Sequence, residues 1–281
     1  MTAYEGYYTG VAGVVKVRFD MANKKCVLLP LVPAGAAGED SKAGAAAARP
    51  VLSMVYAGDG LFSCIENNSL MYFTTIDGEK FIASHKNPRF GTDAIKYIKI
   101  AEIASPKKLN YDLAGKKWLV RNMARHVVSG GEMCMADSAV YKELPGYVDF
   151  CGLKKIEGPE YAGIAAVTTR DQTDLRLFDA GGETWLRAGM FVYSDAAGAR
   201  KLVSGVNRVV IKADGFNEWL RADKGAVVKF AAPPAGARIA VFAGEDVIFD
   251  SAADKDEIYV PEGGFIFFAG RAGDMLKAFA R

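Results

Sequence analysis

Histidine is the scarcest chemically active residue in this chain: two among 281, His85 and His126, 41 positions apart. That spacing excludes His-Glu-x-x-His and every other local two-histidine metal motif. The four cysteines, Cys26, Cys64, Cys134 and Cys151, form no Cys-x-x-Cys pair, so neither a zinc site nor a disulfide framework is signalled. Each has an apolar neighbour (Val27, Ile65, Met133, Phe150), which predicts buried free thiols. No apolar run approaches the roughly 20 residues of a membrane helix. Charge of one sign is also lacking. The 35 basic and 33 acidic residues leave a formal charge of +2, and the lysine pairs are spread along the chain. Without a basic stripe, nucleic acid is not an expected partner.

The nucleotide and hydrolase motifs are missing too. There is no Gly-x-Gly-x-x-Gly after a strand, no phosphate loop ending in Gly-Lys-Ser/Thr, and no Gly-x-Ser-x-Gly elbow. Ser129-Gly130-Gly131 and Ser204-Gly205 lack the upstream glycine and read as turns. Ser105-Pro106-Lys107-Lys108 matches Ser-x-x-Lys, in which one helical turn brings an amine beside a hydroxyl; its partner motifs are absent, and an N-cap role accounts for Ser105. Asp254-Lys255-Asp256-Glu257 bunches carboxylates without the glycine and distal glutamate of a calcium loop, so it reads as a solvated turn. Asn67-Asn68-Ser69 fits a glycosylation acceptor and, better, a hairpin turn. Trp118, Trp185 and Trp219 lie in alternating patterns that predict core packing; only a shared open groove would let them stack on sugars. No catalytic, cofactor-binding or metal-binding residue is assigned, and no cofactor.

What is present is strand pattern. Just over half the residues (51%) are hydrophobic and 24% charged, a globular profile. Val15-Lys-Val-Arg-Phe19 alternates cleanly. Strand signals follow at Cys26–Val32, Val51–Tyr56, Leu61–Ile65, Leu70–Thr75 and Lys80–Ser84, with Asp77-Gly78 as a hairpin signal between the last two. Ala94–Ile103 fits both strand and helix and is read as strand. Residues 33–50, almost wholly Ala and Gly between prolines, predict a mobile surface loop. Ser105, Pro106 and Gly115 bracket a predicted two-turn linking helix. Lys117–Arg121, Val140–Phe150, Leu175–Phe178, Thr184–Val192, Val209–Ala213, Glu218–Arg221 and Val227–Ala231 read as strands, and Glu160–Ala166 as a short helical turn. Last come Arg238–Ala243, Val247–Phe249, Glu257–Val260 and Phe265–Ala269; Phe265–Phe268 is apolar on both alternating faces and so predicts a strand covered on both sides.

The expected fold is all-β: antiparallel meanders forming two barrel- or sandwich-like units, lipocalin-like barrels among the possibilities, joined by the short helix. The expected division is 1–104, a barrel-like unit, and 105–281, a second unit ending in a sandwich-like block over 203–281.

One set of markers goes further. Pro261-Glu262-Gly263-Gly264-Phe265-Ile266-Phe267-Phe268-Ala269-Gly270 follows, in order, Tyr4-Glu-Gly-Tyr7-Tyr8, Gly13-Val-Val-Lys-Val17, Leu144-Pro145-Gly146-Tyr147-Val148, Arg170-Asp171-x-x-Asp174-Leu175 and Asp214-Gly215-Phe216-x-Glu218-Trp219. Together they resemble the C-terminal accessory region of bacterial serine hydrolases of the class C β-lactamase and D-alanyl-D-alanine carboxypeptidase (penicillin-binding protein) kind. The resemblance runs from about Tyr4 to the C-terminus; residues 33–50 match nothing in it. It implies a catalytic serine-hydrolase domain before Tyr4 and a non-catalytic role for this region, packing on or modulating that domain. It also implies an extracytoplasmic parent, secreted or at the cell surface. Met1 runs at once into strand pattern with no signal peptide, so the alternatives are a cytosolic protein or a piece of a longer chain. The competing expectation is a stand-alone lipocalin-like barrel that binds a small apolar ligand, or a cell-wall glycan or peptide. A third is a cytosolic structural or interaction protein.

Overall fold

A computed structural model describes residues 1–34, 50–86, 91–123, 134–252 and 257–281. The expected loop at 33–50, His126, Ser129-Gly130-Gly131 and most of Asp254–Glu257 fall largely or wholly outside the described residues. Among those described, the named elements are strands apart from two three-residue 3-10 turns, Thr2–Tyr4 and Ala196–Gly198, with turns and irregular segments between them. The all-β expectation holds. The chain divides into two compact units, residues 1–115 with 138–175, and residues 116–137 with 176–281.

The first unit is built on a closed eight-stranded barrel: β1 (Gly6–Gly10), β2 (Gly13–Asp20), β3 (Lys25–Pro30), β4 (Leu52–Gly58), β5 (Leu61–Cys64), β6 (Leu70–Ile76), β7 (Glu79–Ser84) and β8 (Ala94–Lys99). Neighbours in sequence pair antiparallel, and β1 closes on β8 through Tyr8↔Lys99, Thr9↔Ile98 and Gly10↔Tyr97. The Asp-Gly signal is met: Asp77 and Gly78 both take positive φ (50° and 84°), as a tight hairpin with strand twist demands, and Ile76 pairs with Glu79. Alternation sends Tyr8, Val15, Val17, Cys26, Leu28, Met54 and Ile82 to the interior, each fully buried. Eight strands enclose a bore just wide enough to be filled by such side chains, leaving the two ends as the places where space can open. Outside the barrel, Tyr7 and Val14 pack with Tyr141, Leu144, Tyr147 and Leu153. That second cluster carries a short antiparallel run, Tyr147–Asp149, Leu153–Gly158 and Tyr161–Ile164.

Four expectations are corrected here. The helix over Ser105–Gly115 does not form; the segment is irregular and ends directly at the strand Lys116–Val120. Its backbone groups have other partners. Asn110 N–H donates to Pro159 O (2.7 Å), and Leu113 O accepts from the Ser138 hydroxyl (2.6 Å). Asp112 accepts from Ala114 N–H in a local turn that competes with helix, and Leu113 is anchored in the core. The helical turn over Glu160–Ala166 is instead the strand Tyr161–Ile164, paired with Leu153–Gly158. The expected strand Val140–Phe150 shortens to Tyr147–Asp149, because Ala139 already bridges Asp149 and uses up the pairing register. Finally, Cys26, Cys64 and Cys134 are buried as expected, but Cys151 is exposed: it occupies a turn at φ 49°, and Phe150 beside it takes the buried position.

The second unit carries five strands of another eight-stranded sheet, in the order Met135–Ser138, Lys116–Val120, Phe191–Asp195, Glu183–Ala188, Leu175–Ala180. It ends in a two-sheet sandwich. One sheet has Phe265–Ala269 between Glu218–Arg221 and Arg238–Ala243. The other has Met275–Ala280 between Gly205–Val210 and Ala226–Phe230. Every residue of Phe265–Ala269 is buried, as its doubly apolar pattern requires. Ile266 and Phe268 enter the core between the sheets with Val228, Ile239 and Leu276, while Phe267 on the opposite face packs against Trp219 at 4.9 Å. Burying each of these phenylalanines contributes roughly 1.5–3 kcal/mol.

Candidate functional site

A cleft of about 1020 Å³ opens at one end of the barrel. The β1–β2 turn (Val11, Ala12), the start of β4 (Leu52), the β5–β6 turn and start of β6 (Asn67–Met71), the end of β7 (Ser84–Lys86) and β8 (Ile95–Ile98) line it, with Val167 and Thr168 from beyond the barrel. Met71 and Tyr97 belong to the barrel core, so the cleft reaches the top of the packed interior. Its rim keeps three large aliphatic side chains in water: Val11 (81% exposed), Val167 (69%) and Ile95 (50%). Apolar side chains grouped around a concavity mark a binding surface more than scattered ones do.

The backbone explains how this end is shaped. On β8, Ile82 faces Tyr97 and Ala83 faces Ile95, which leaves Lys96 as the extra residue of a bulge. Bulges at a barrel rim bend the strand and re-aim a side chain. Gly10, opposite, admits that bend: a Cβ there would lie 2.4 Å from Lys96 O and 2.7 Å from Tyr97 Cδ1. At the β5–β6 turn, Asn67 Oδ1 accepts from Ser69 N–H (3.0 Å) and Ser69 O–H (2.6 Å), and Asn68 takes φ 55°. The hairpin-turn reading of Asn67-Asn68-Ser69 therefore holds.

Polar order at the rim comes from Asp93. Its carboxylate accepts from Lys86 N–H (2.8 Å) and Tyr72 O–H (2.9 Å), and Oδ1 lies 3.3 Å from His85 Nδ1. These hydrogen bonds, the Lys86 amide first, hold the Asp93 carboxyl below its usual range; burial, with Asp93 as hydrogen-bond partner, pushes the Tyr72 phenol up. His85 thus has a defined partner and stands on the cleft. Among the described residues, the lining carries Lys86, Lys96 and His85 and no carboxylate.

Two other concavities are less suited to a ligand. At the opposite barrel end, a dimple of about 280 Å³ is lined by Phe19, Met21, Tyr56 and Phe62 with Lys24 and Lys25. Phe62 packs edge-on against Phe73 at 5.5 Å and tilted against Phe19 at 6.0 Å, so these rings fill that end themselves. In the second unit, a cleft of about 410 Å³ is lined by Arg121, Arg200, Arg208 and Lys212, but also by Glu183, Asp195 and Glu218. Glu218 Oε1 lies 3.5 Å from Arg121 Nη2 and 3.4 Å from Lys212 Nζ, and Asp195 pairs with Lys116 at 2.8 Å. Arg121 and Lys212 thus share the Glu218 carboxylate as an internal counter-charge.

The remaining residues weighed from the sequence are not brought together. Ser105 and Lys108 are exposed in the irregular segment rather than stacked on a helical turn. Ser204 is exposed in the bend before Gly205–Val210. Trp118, Trp185 and Trp219 are buried, as core packing predicts, and present no open stacking face. Among the described residues, no group of three or more His, Cys, Asp or Glu is placed to hold a metal ion, and no helix is long and apolar enough to cross a membrane. No family model, curated protein or solved structure matches the chain.

Sequence reasoning missed the cleft. The one local signal is Gly10-Val11-Ala12-Gly13, which sets an aliphatic residue on a turn where polar residues are usual. Lys96 and Val167 join the lining only through the bulge and the packing of the first unit.

Proposed function

We propose that this region is a non-catalytic binding protein whose site is the wide end of the closed barrel, and that its ligand is small and largely apolar. The observation that carries this reading is the cleft of about 1020 Å³ set on the packed barrel interior with Val11, Ile95 and Val167 exposed around it. Small-molecule sites are concave, mostly apolar and furnished with a few polar groups, often in the mouths of β-barrels. The test is a fluorescence titration with N-phenyl-1-naphthylamine, a neutral apolar probe. Saturable enhancement is expected from the native protein, with affinity at least about tenfold weaker in Ile95→Glu, since charge in an apolar contact costs more than the roughly 1.4 kcal/mol of a tenfold change. No saturable binding, or equal binding by the variant, overturns the proposal.

A second reading is favoured by the ordered markers from Tyr4 to Gly270: the chain is the accessory region of a β-lactamase-like serine hydrolase, with an extracytoplasmic parent and a catalytic domain as its partner. The separation of Ser105 and Lys108 from any helical turn supports a non-catalytic role for that fragment. The two readings are compatible, the barrel end then serving the parent enzyme as a site for its ligand. Incubation with a fluorescent penicillin tests the non-catalytic assignment: no covalent label is expected, and label on Ser105 contradicts it. An open frame upstream of Met1 encoding Ser-x-x-Lys and Tyr-x-Asn supports the accessory assignment, and a stop codon there removes it.

A further inference from the structure

We infer that the barrel end selects amphipathic anions, specifically a single long alkyl chain ending in a carboxylate; this rests on the binding role proposed above. Positive charge surrounds an apolar floor at this end of the barrel. Among the described residues of the lining, Lys86, Lys96 and His85 are the side chains that can carry positive charge, and no Asp or Glu is among them. Among the described residues beside the cleft, the Asp93 carboxylate is engaged by the Lys86 amide, the Tyr72 hydroxyl and His85, and the Glu66 carboxylate by the Ser53 amide. Lys96 stands on the cleft because it is the extra residue of the β8 bulge, a placement with a backbone cost that regular pairing would avoid. Leu52, Leu70, Met71 and Ile98 supply apolar wall between these charges. An aliphatic tail on that wall with its head at Lys86 or Lys96 would place each part of the ligand against its complement. A neutral alkyl ligand would leave the lysines without that gain, and a compact hydrophilic anion would leave the wall in water.

The experiment compares dodecanoate with dodecan-1-ol, both below their aggregation limits, as displacers of N-phenyl-1-naphthylamine from the native protein, from a Lys86→Gln/Lys96→Gln variant, and from a Lys24→Gln/Lys25→Gln control at the other barrel end. For the native protein and the control, dodecanoate should bind at least about tenfold tighter than the alcohol, the factor corresponding to one charged hydrogen bond. In Lys86→Gln/Lys96→Gln that preference should fall to near unity. If the native protein binds the two equally, or the variant keeps the preference, the inference is overturned while the binding role stands. If neither amphiphile nor the naphthylamine binds, the binding role itself fails.

Discussion

Asp93 shows how much one side chain organises at the barrel end. It ties the backbone after β7 to the β6 strand through Lys86 N–H and Tyr72 O–H, and holds His85 beside them. Its lowered pKa fixes the sign of a pH effect. A carboxylate held below its unfolded value of 3.8 contributes stability that is present above that value and lost as pH falls through the folded pKa. Asp93→Asn should therefore melt at a lower temperature than the native protein at pH 7, and the difference should close below about the ordinary carboxylate range. Melting curves of both proteins across that window test this; a gap that persists in acid contradicts it. The cysteines give a second test. Burial pushes the Cys26 thiol up to about 12 and the Cys134 thiol up to about 11, and it also raises Cys64. Only Cys151 is exposed, so a chromogenic disulfide should label a single fast thiol in the folded protein and four after denaturation, with the fast one gone in Cys151→Ser.

At the scale of elements, the closure of the barrel depends on Gly10. A side chain there meets the backbone carbonyl of Lys96, which cannot move without opening the β1–β8 seam. Gly10→Ala should cost about 1–3 kcal/mol, as overpacking does, and should also weaken probe binding because the seam and the bulge are one structure. Urea unfolding of the variant, with the naphthylamine titration alongside, measures both. In the second unit, Phe267→Ala should cost about 3–5 kcal/mol, since Phe267 is fully buried against Trp219. Those magnitudes follow from patterns that were open to reading. Asp77-Gly78 encodes its own dihedral angles, and the doubly apolar Phe265–Phe268 could only be a covered strand. Other elements were closed to it. Ser105, Pro106 and Gly115 are good helix punctuation, yet Pro159 O, Ser138 and the burial of Leu113 claim the segment between them, and such partners are invisible locally. Leu153–Gly158 escaped because Lys154-Lys155 reads as surface. Lys154 is in fact fully buried, its ammonium donating to Gly152 O (3.1 Å) and Cys151 O (3.3 Å), and burial lowers its pKa.

For the whole molecule, strand pattern and turn chemistry carry the all-β class, because alternation and Gly/Asn/Asp turns are properties of a few adjacent residues. The candidate site is not of that kind. It is a cleft where two turns, the start of β4, the end of β7, a bulged strand and Val167 converge, and only closure of the barrel brings them together. The proposed site is accordingly a place in the fold, and methyl-resolved NMR locates it. Titrating N-phenyl-1-naphthylamine into protein labelled at Met and Ile methyl groups should shift Met71, Ile95 and Ile98 at the wide barrel end. Met1 and Met21 at the opposite end, and Ile239 and Ile266 in the sandwich, should stay fixed. Shifts confined to those latter methyls, or no saturable shift at Met71, Ile95 and Ile98, would contradict the account.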